Sequence, residues 1–287
     1  MLTFSTSPCA PHNSAKLHLF PRTLLKLTHF KYKTRKGPDY RHGDQVSFMD
    51  IKQTFGMGSI RVGAWVTKEE KELAANLIFD SLADLAYILA LPPEAIGLRG
   101  TLGLAFGSGG RKGVQAHYAP NQRELALAKN AGAGALAHEF WHAFDHYIAE
   151  KAFEIGDTSG PRKQILFASD CWLHDRKVRP HPLNESLMSL FDATLLSDNN
   201  LDKHDYVARS VIADKAMSAR YFSLPTEMMA RAFESVIESC SDIENAYLVD
   251  GTTKPDMFPL YPDMAHREEI FQALQGYFAP LGRSLSK

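Results

Sequence analysis

The stretch "NAGAGALAHEFWHAFDHYIAEK", Asn130 to Lys151, decides how the rest of the chain is read. It sets His138, His142 and His146 beside Glu139 and Asp145, and interleaves them with Phe140, Trp141, Phe144 and Tyr147. At about 100° per residue, Leu136, Phe140, Ala143, Phe144 and Tyr147 gather on one side of a helix. His138, His142, Asp145 and His146 gather on the other, with Glu139 on the flank. One reading is an amphipathic surface helix whose polar face happens to carry histidines. Against it, that face has no lysine or arginine before Lys151, and a solvated face of this length usually carries some.

Within the stretch, His138-Glu139-Phe140-Trp141-His142 is an HExxH. Two histidines four apart project from one helix face, one turn apart, so their imidazoles can converge on one zinc ion. Glu139, beside them, could take a proton from a water activated by that ion and return it to a leaving amine. The pattern is short, so its context decides. His146 continues the row, but side chains at i, i+4 and i+8 start about 12 Å apart at the outer two. A straight helix cannot close all three round one cation, so a third ligand must come from elsewhere.

The same letters allow a rival. Gly132-Ala133-Gly134-Ala135-Leu136-Ala137 fits GxGxxG/A, the turn that cradles a dinucleotide pyrophosphate. That fold needs a following strand with an acidic residue about 20 positions on. Here the text runs on as helix into a polar loop near 155–163. The simpler use of these glycines is a tight turn into the helix.

Upstream, "TKEEKELAANLIFDSLADLAYILALPP" opens with Thr67 and Glu70 at capping-box spacing and is stopped by Pro92 and Pro93. Residues 101–107, 114–120 and 123–129 read as short strands between Gly-rich and Pro-Asn turns. Strands followed by helices predict an α+β fold without alternating βαβ units. Downstream, residues 221–239 read as a helix begun by Ser223 and Pro225. Glu227, Arg231, Glu234 and Glu238 share one of its faces. It is either a surface helix with a Glu227–Arg231 pair or the element whose first turn supplies the third ligand, Glu227.

The net charge of −1 gives no general field for nucleic acid, and none is expected on the globular part. Cys9, Cys171 and Cys240 form no CxxC pair, which suits a reducing, cytoplasmic setting. No run of eighteen apolar residues predicts a membrane span. Residues 1–36 hold seven lysines and arginines (Lys16, Arg22, Lys26, Lys31, Lys33, Arg35, Lys36) and no acid. They are expected to be a disordered tail before a domain over 37–287; a transit-like leader or a basic arm for an anionic partner is the functional alternative.

The helix with its downstream glutamate resembles the zincin metallopeptidases of the glutamate-ligand type. In the lethal-factor-like branch an HExxHxxD helix is followed by E-x-x-A-x-A-F; the matching residues are His138, Glu139, His142 and Asp145, then Glu227, Ala230, Ala232 and Phe233. The segments "LRGTLGLAFGSGG", "AHYAP" and "GAGALAHEFWHAFDHY", within about 46–150 and resuming near 221–238, are similar to the large-polyvalent-protein-associated zincin domain of phage and mobile-element proteins, and closer to the bacterial family labelled CLCA_X. Trp141 departs from the small residue many zincins have there. The resemblance implies a zincin-like α+β fold: a small sheet packed on the HExxH helix, with a mostly helical C-terminal part. It implies Zn²⁺ on His138, His142 and Glu227, Glu139 as general base and acid, and Tyr221 as donor to a developing oxyanion. It also implies Asp145 as the carboxylate orienting a ligand histidine. The expected activity is peptide or protein hydrolysis. The alternative is a non-catalytic, zinc-stabilised interaction module associated with mobile elements.

Overall fold

The computed structural model describes residues 35–108, 116–128, 134–155, 165–199, 201–218 and 220–286. It is α+β, with eight α-helices and one four-stranded sheet among the described residues. Ser47 and Asp50 close a capping box on α1 (Phe48–Thr54), and β1 (Ser59–Val62) follows. The Thr67–Glu70 capping box forms in both directions at the start of α2 (Lys68–Ile88): the Thr67 N–H donates to Glu70 Oε2 at 2.8 Å, and the Glu70 N–H to Thr67 Oγ1 at 3.3 Å. The chain then leaves the helix, Ala90 taking a left-handed φ of 52°, before Pro93 opens a 3₁₀ turn, Pro93–Gly97.

The sheet comprises β1, β2 (Gly103–Phe106), β3 (Ala116–Ala119) and β4 (Glu124–Leu127), in the order β1-β2-β4-β3. β1, β2 and β4 are parallel, with Ser59 opposite Gly103 and Gly103 opposite Glu124. β3 runs antiparallel to β4 as an edge strand, with Tyr118 opposite Leu125. Three expected strands are present. β1 was not anticipated, and with α2 and β2 it makes one parallel crossover that a plain strands-then-helices reading excludes. The reason is local: "SIRV" is four residues long and half-exposed, and only pairing with β2 makes it a strand.

α3 (Leu136–Ala152) packs on β3 and β4, and on α4 (Ala168–Leu173) and α7 (Pro225–Glu238). α5 (Pro182–Leu195), α6 (Asp205–Met217) and α8 (Met264–Leu285) complete the helical part. α3 is covered nearly all round: Leu136, Phe140 and Phe144 are buried as the wheel predicts, but so are Trp141, His142 and Asp145. Trp141 lies between Phe233 and Phe144, ring centroids 5.0 and 5.3 Å away. A helix polar on one face yet buried there must satisfy those groups within the protein.

The start of α3 excludes the dinucleotide reading. Its N-cap, Ala135, offers no side chain, and the backbone of 247–248 takes its place. The Gly134 N–H donates to the Tyr247 carbonyl at 3.0 Å and the Ala137 N–H to that of Leu248 at 3.1 Å. Donors a pyrophosphate would need are therefore occupied. Gly134 has φ +84°, and a Cβ there would lie 3.1 Å from Asp250 Cβ, so this glycine serves the turn. Gly132, Ala133 and nearly all of the polar loop expected near 155–163 lie outside the described residues.

Of the expected tail, 1–34 lies outside the described residues, while Arg35 and Lys36 are part of the domain. The Arg35 Nε donates to Asp84 Oδ2 at 2.7 Å, its Nη2 pairs with Asp84 Oδ1, and Asn245 Nδ2 donates to Oδ2 at 2.8 Å. Asp84 is fully buried in the middle of α2. The Lys36 and Glu244 backbones exchange two hydrogen bonds of 2.9 Å. Arg35 and Lys36 therefore belong with the domain, because a buried carboxylate requires a cation that the acid-free segment supplies. A chain beginning at Thr34 is expected to unfold at the full-length urea midpoint. One beginning at Gly37 should lose about 3–5 kcal/mol, partly recovered by Asp84→Asn. Equal midpoints for the two truncations would show that Arg35 does not hold the domain.

Candidate metal centre

Two helices form the site. α3 places His138 and His142 on the face toward α7, and α7 presents Glu227 in its first turn. Pro225 at N1 starts α7, as expected, but the N-cap is Leu224. Ser223 serves another purpose. Asp214 accepts from the N–H groups of Tyr221, Phe222 and Ser223 at 2.9, 2.7 and 2.9 Å, and from Ser223 Oγ at 2.6 Å. Against a desolvation cost, these bonds hold the Asp214 carboxyl down at about 2. The turn that leads into Glu227 is thereby fixed.

His138 Nε2 and His142 Nε2 are 3.2 Å apart. Glu227 Oε2 lies 3.4 Å from the first, and Glu227 Oε1 3.5 Å from the second. Zinc–ligand bonds of about 2.0–2.2 Å in a tetrahedron put neighbouring donors about 3.3–3.5 Å apart. The His138–His142 separation is close to that edge, and the triangle of side chains is completed by one Glu227 oxygen toward each histidine. Glu227 Oε2 is buried and makes no hydrogen bond of acceptable geometry, an orphan that a cation would satisfy. Among the described residues these three form the one such cluster of metal-capable donors. Arg231 makes no ion pair with Glu227: its guanidinium is buried between the Tyr206 and Phe222 rings and donates to the Phe222 carbonyl.

Glu234, two turns further along α7, lies outside the triangle but touches it. Its Oε1 is 3.0 Å from His138 Nδ1 and accepts from the Tyr261 hydroxyl at 2.9 Å. A carboxylate on Nδ1 keeps the proton there and leaves Nε2 as the lone-pair nitrogen facing Glu227. Burial opposes charging His138, but the Glu234 charge, the close approach of Glu227 and the hydrogen bond with Glu234 lift its pKa to about 10. Burial, then the charge on His138, pushes His142 down to about 4. In the metal-free cluster the positive charge therefore falls on His138 and not on His142. Glu238 is remote from this chemistry and accepts from the Gly251 and Thr252 N–H groups.

Glu139 Oε2 accepts from the Tyr118 N–H of the edge strand at 2.6 Å. Burial raises its pKa, opposed by the charge of His138. The ring of His146 turns away from the pair, its Nδ1 2.7 Å from the Tyr118 hydroxyl. Tyr221 is 47% exposed, and burial of its phenol and then the charge of nearby Glu227 raise its pKa.

Asp145 does not orient a ligand histidine. Its Oδ1 accepts from the Ser169 N–H at 2.8 Å and its Oδ2 from Ser169 Oγ at 2.5 Å, tying α3 to α4 in the core. The helix wheel put it on the histidine side, but α4 packs against that side and captures it. The carboxylate on a ligand imidazole is Glu234, 96 positions from His138. Its face on α7 was legible; its partner was not.

Residues 213–285 match the family model described as large polyvalent protein-associated domain 1, a segment that includes Glu227, Glu234 and Tyr261. No curated protein and no solved structure matches the chain. The match supports an association with large polyvalent proteins, over α7 and α8 in particular. No helix among the described residues is long and apolar enough to cross a membrane.

Burial raises the Asp145 carboxyl to about 7, against hydrogen bonds from Ser169 that lower it. An acid that ionises later in the folded than in the unfolded chain binds more protons when folded. Stability from this group therefore falls as pH rises from about 4 to about 7 and is level above. Asp145→Asn removes that component. The stability difference between wild type and Asp145→Asn, from urea unfolding at pH 4.5 and 7.5, should shift against wild type by about 3 kcal/mol. A pH-independent difference would mean that Asp145 is ionised throughout.

Proposed function

We propose that this protein is a zinc-dependent peptide hydrolase. The observation that carries the reading is the donor cluster of His138, His142 and Glu227: the two Nε2 atoms lie 3.2 Å apart and each has one Glu227 oxygen within 3.5 Å, a spacing suited to one small cation. When bound there, zinc supplies Lewis-acid polarisation of a carbonyl and a nucleophile available at neutral pH. His138 and His142 offer their Nε2 lone pairs, and Glu234 on His138 Nδ1 orients the first ring. Glu139 is held by the Tyr118 N–H through one oxygen, which leaves the other to accept a proton and return it to the leaving amine. Burial shifts its pKa upward, toward the range where one carboxyl can serve as base and then acid. Tyr221 remains protonated at neutral pH, as a donor to a developing oxyanion must.

The edge strand supports a peptide as substrate. Among the described residues β3 pairs with β4 on one side only, and its outward Tyr118 N–H reaches Glu139, so this edge of the sheet runs beside the donor cluster. An extended peptide could add to that edge and bring a carbonyl to the site. A second reading is a non-catalytic module whose metal stabilises the helical part; the match of 213–285 to large polyvalent protein-associated domain 1 is compatible with it.

Protein prepared without a metal-affinity tag is expected to hold about one zinc per chain by elemental analysis. His138→Ala/His142→Ala and Glu227→Ala should lose it, and zinc content unchanged in both would reject the site. Glu139→Gln should keep the ion and the fold but cleave peptides about 10²–10⁴-fold more slowly in a library digested alongside wild type. Zinc-dependent cleavage of equal rate in both would remove Glu139 from the chemistry. Zinc bound with no cleavage by wild type would favour the module.

A further inference from the structure

The face of α3 away from the histidines is not fully packed. It borders a cavity of about 660 Å³, within the range that holds a small-molecule ligand. The walls come from four separate elements: the 3₁₀ turn Pro93–Gly97 and the residues flanking it, α3, the start of α5 and the end of α8. Its interior is apolar and aromatic, with Phe140 and Phe144 of α3 facing Tyr277 and Phe278 of α8. These rings pack on one another (Phe144 lies 5.6 and 5.0 Å from Tyr277 and Phe278, centroid to centroid), so the walls are rigid.

The rim is different. Three exposed cations, Arg99, Lys151 and Arg179, line it, against one carboxylate, Glu94. None of the three makes an ion pair among the described residues. Arg179 Nε and Lys151 Nζ donate to the Phe153 and Tyr147 carbonyls, and the Lys151 ammonium sits 3.7 Å from the Tyr147 ring centroid. Leu98 and Arg99 are consecutive non-glycine residues at positive φ, 50° and 57°, a conformation that costs energy. They bring a wall residue and a rim cation to the same opening. Burial, then the charge of Arg123, lowers the Lys151 pKa, against the opposing charge of Glu150.

We propose that this cavity binds an amphipathic carboxylate of the fatty-acid type, its alkyl chain among the α3 and α8 aromatics and its carboxylate between Arg99, Lys151 and Arg179. The site is separate from the donor cluster and independent of any metal there. A neutral apolar molecule would gain nothing from the cationic rim, and a cationic amphiphile would be repelled. The bidentate guanidinium geometry suits a carboxylate.

Calorimetric titration of the full chain with decanoate, decanol and decylammonium, each below its aggregation threshold, tests this. One decanoate should bind per chain, decanol at least tenfold more weakly and decylammonium not measurably. The Arg99→Gln/Lys151→Gln double variant, changed only at exposed positions, should bind decanoate at least tenfold more weakly and decanol unchanged. Leu281→Trp, which fills the cavity, should abolish both if its thermal midpoint shows that it folds; should it unfold, the double variant decides. Absence of decanoate binding, several equivalents per chain, equal uptake of decylammonium, or decanoate affinity indifferent to the double variant would each overturn the proposal.

Discussion

Two carboxylates from one helix close on a single part-buried imidazole of another. Glu227 and Glu234 of α7 approach the two nitrogens of His138, and this contact sets much of what surrounds it. Buried charges are costly unless compensated, and α3 brings the compensation as histidines rather than lysines or arginines. In the metal-free protein a charged His138 turns one ring nitrogen to each glutamate, and its charge helps keep His142 neutral. A divalent ion between the two Nε2 atoms and Glu227 would bring a stronger positive charge to the same point. The pair of helices is thus arranged for a cation, and the supporting groups are arranged for the pair: Tyr261 on Glu234, and Asp214 under the turn before Glu227.

α3 divides the protein's chemistry by its faces. Toward α7 and β3 it carries the histidines and Glu139; toward α4 it buries Asp145; away from both, Phe140 and Phe144 border the cavity. Burial on every side holds the polar face to fixed partners, as the Glu139–Tyr118 and Asp145–Ser169 hydrogen bonds show. The match to large polyvalent protein-associated domain 1 covers the α7 half of the donor cluster and leaves α3 outside it. The cluster therefore joins a segment within that match to one beyond it, and whatever it does depends on the two being packed together.

What the sequence determined by itself was local. The four-residue interval of His138 and His142 put both imidazoles on one face, Thr67 and Glu70 formed the capping box, and Pro225 opened α7 at its first position. Each rests on contacts within about one helical turn, where the 3.6-residue repeat leaves little freedom. What the tertiary structure decided lay at long separation. The spacing on α7 offered Glu227, Glu234 and Glu238 on one face; the crossing of α7 over α3 gave the first two their histidines, and the loop at 251–252 took the third. The wheel offered Asp145 to the histidines, and α4 took it. An acid-free terminal stretch read as tail up to Lys36, yet Asp84, buried in α2, claims Arg35. In each case a charged group had several partners allowed by periodicity, and the cost of leaving a buried carboxylate unpaired selected one through contacts that no local pattern encodes.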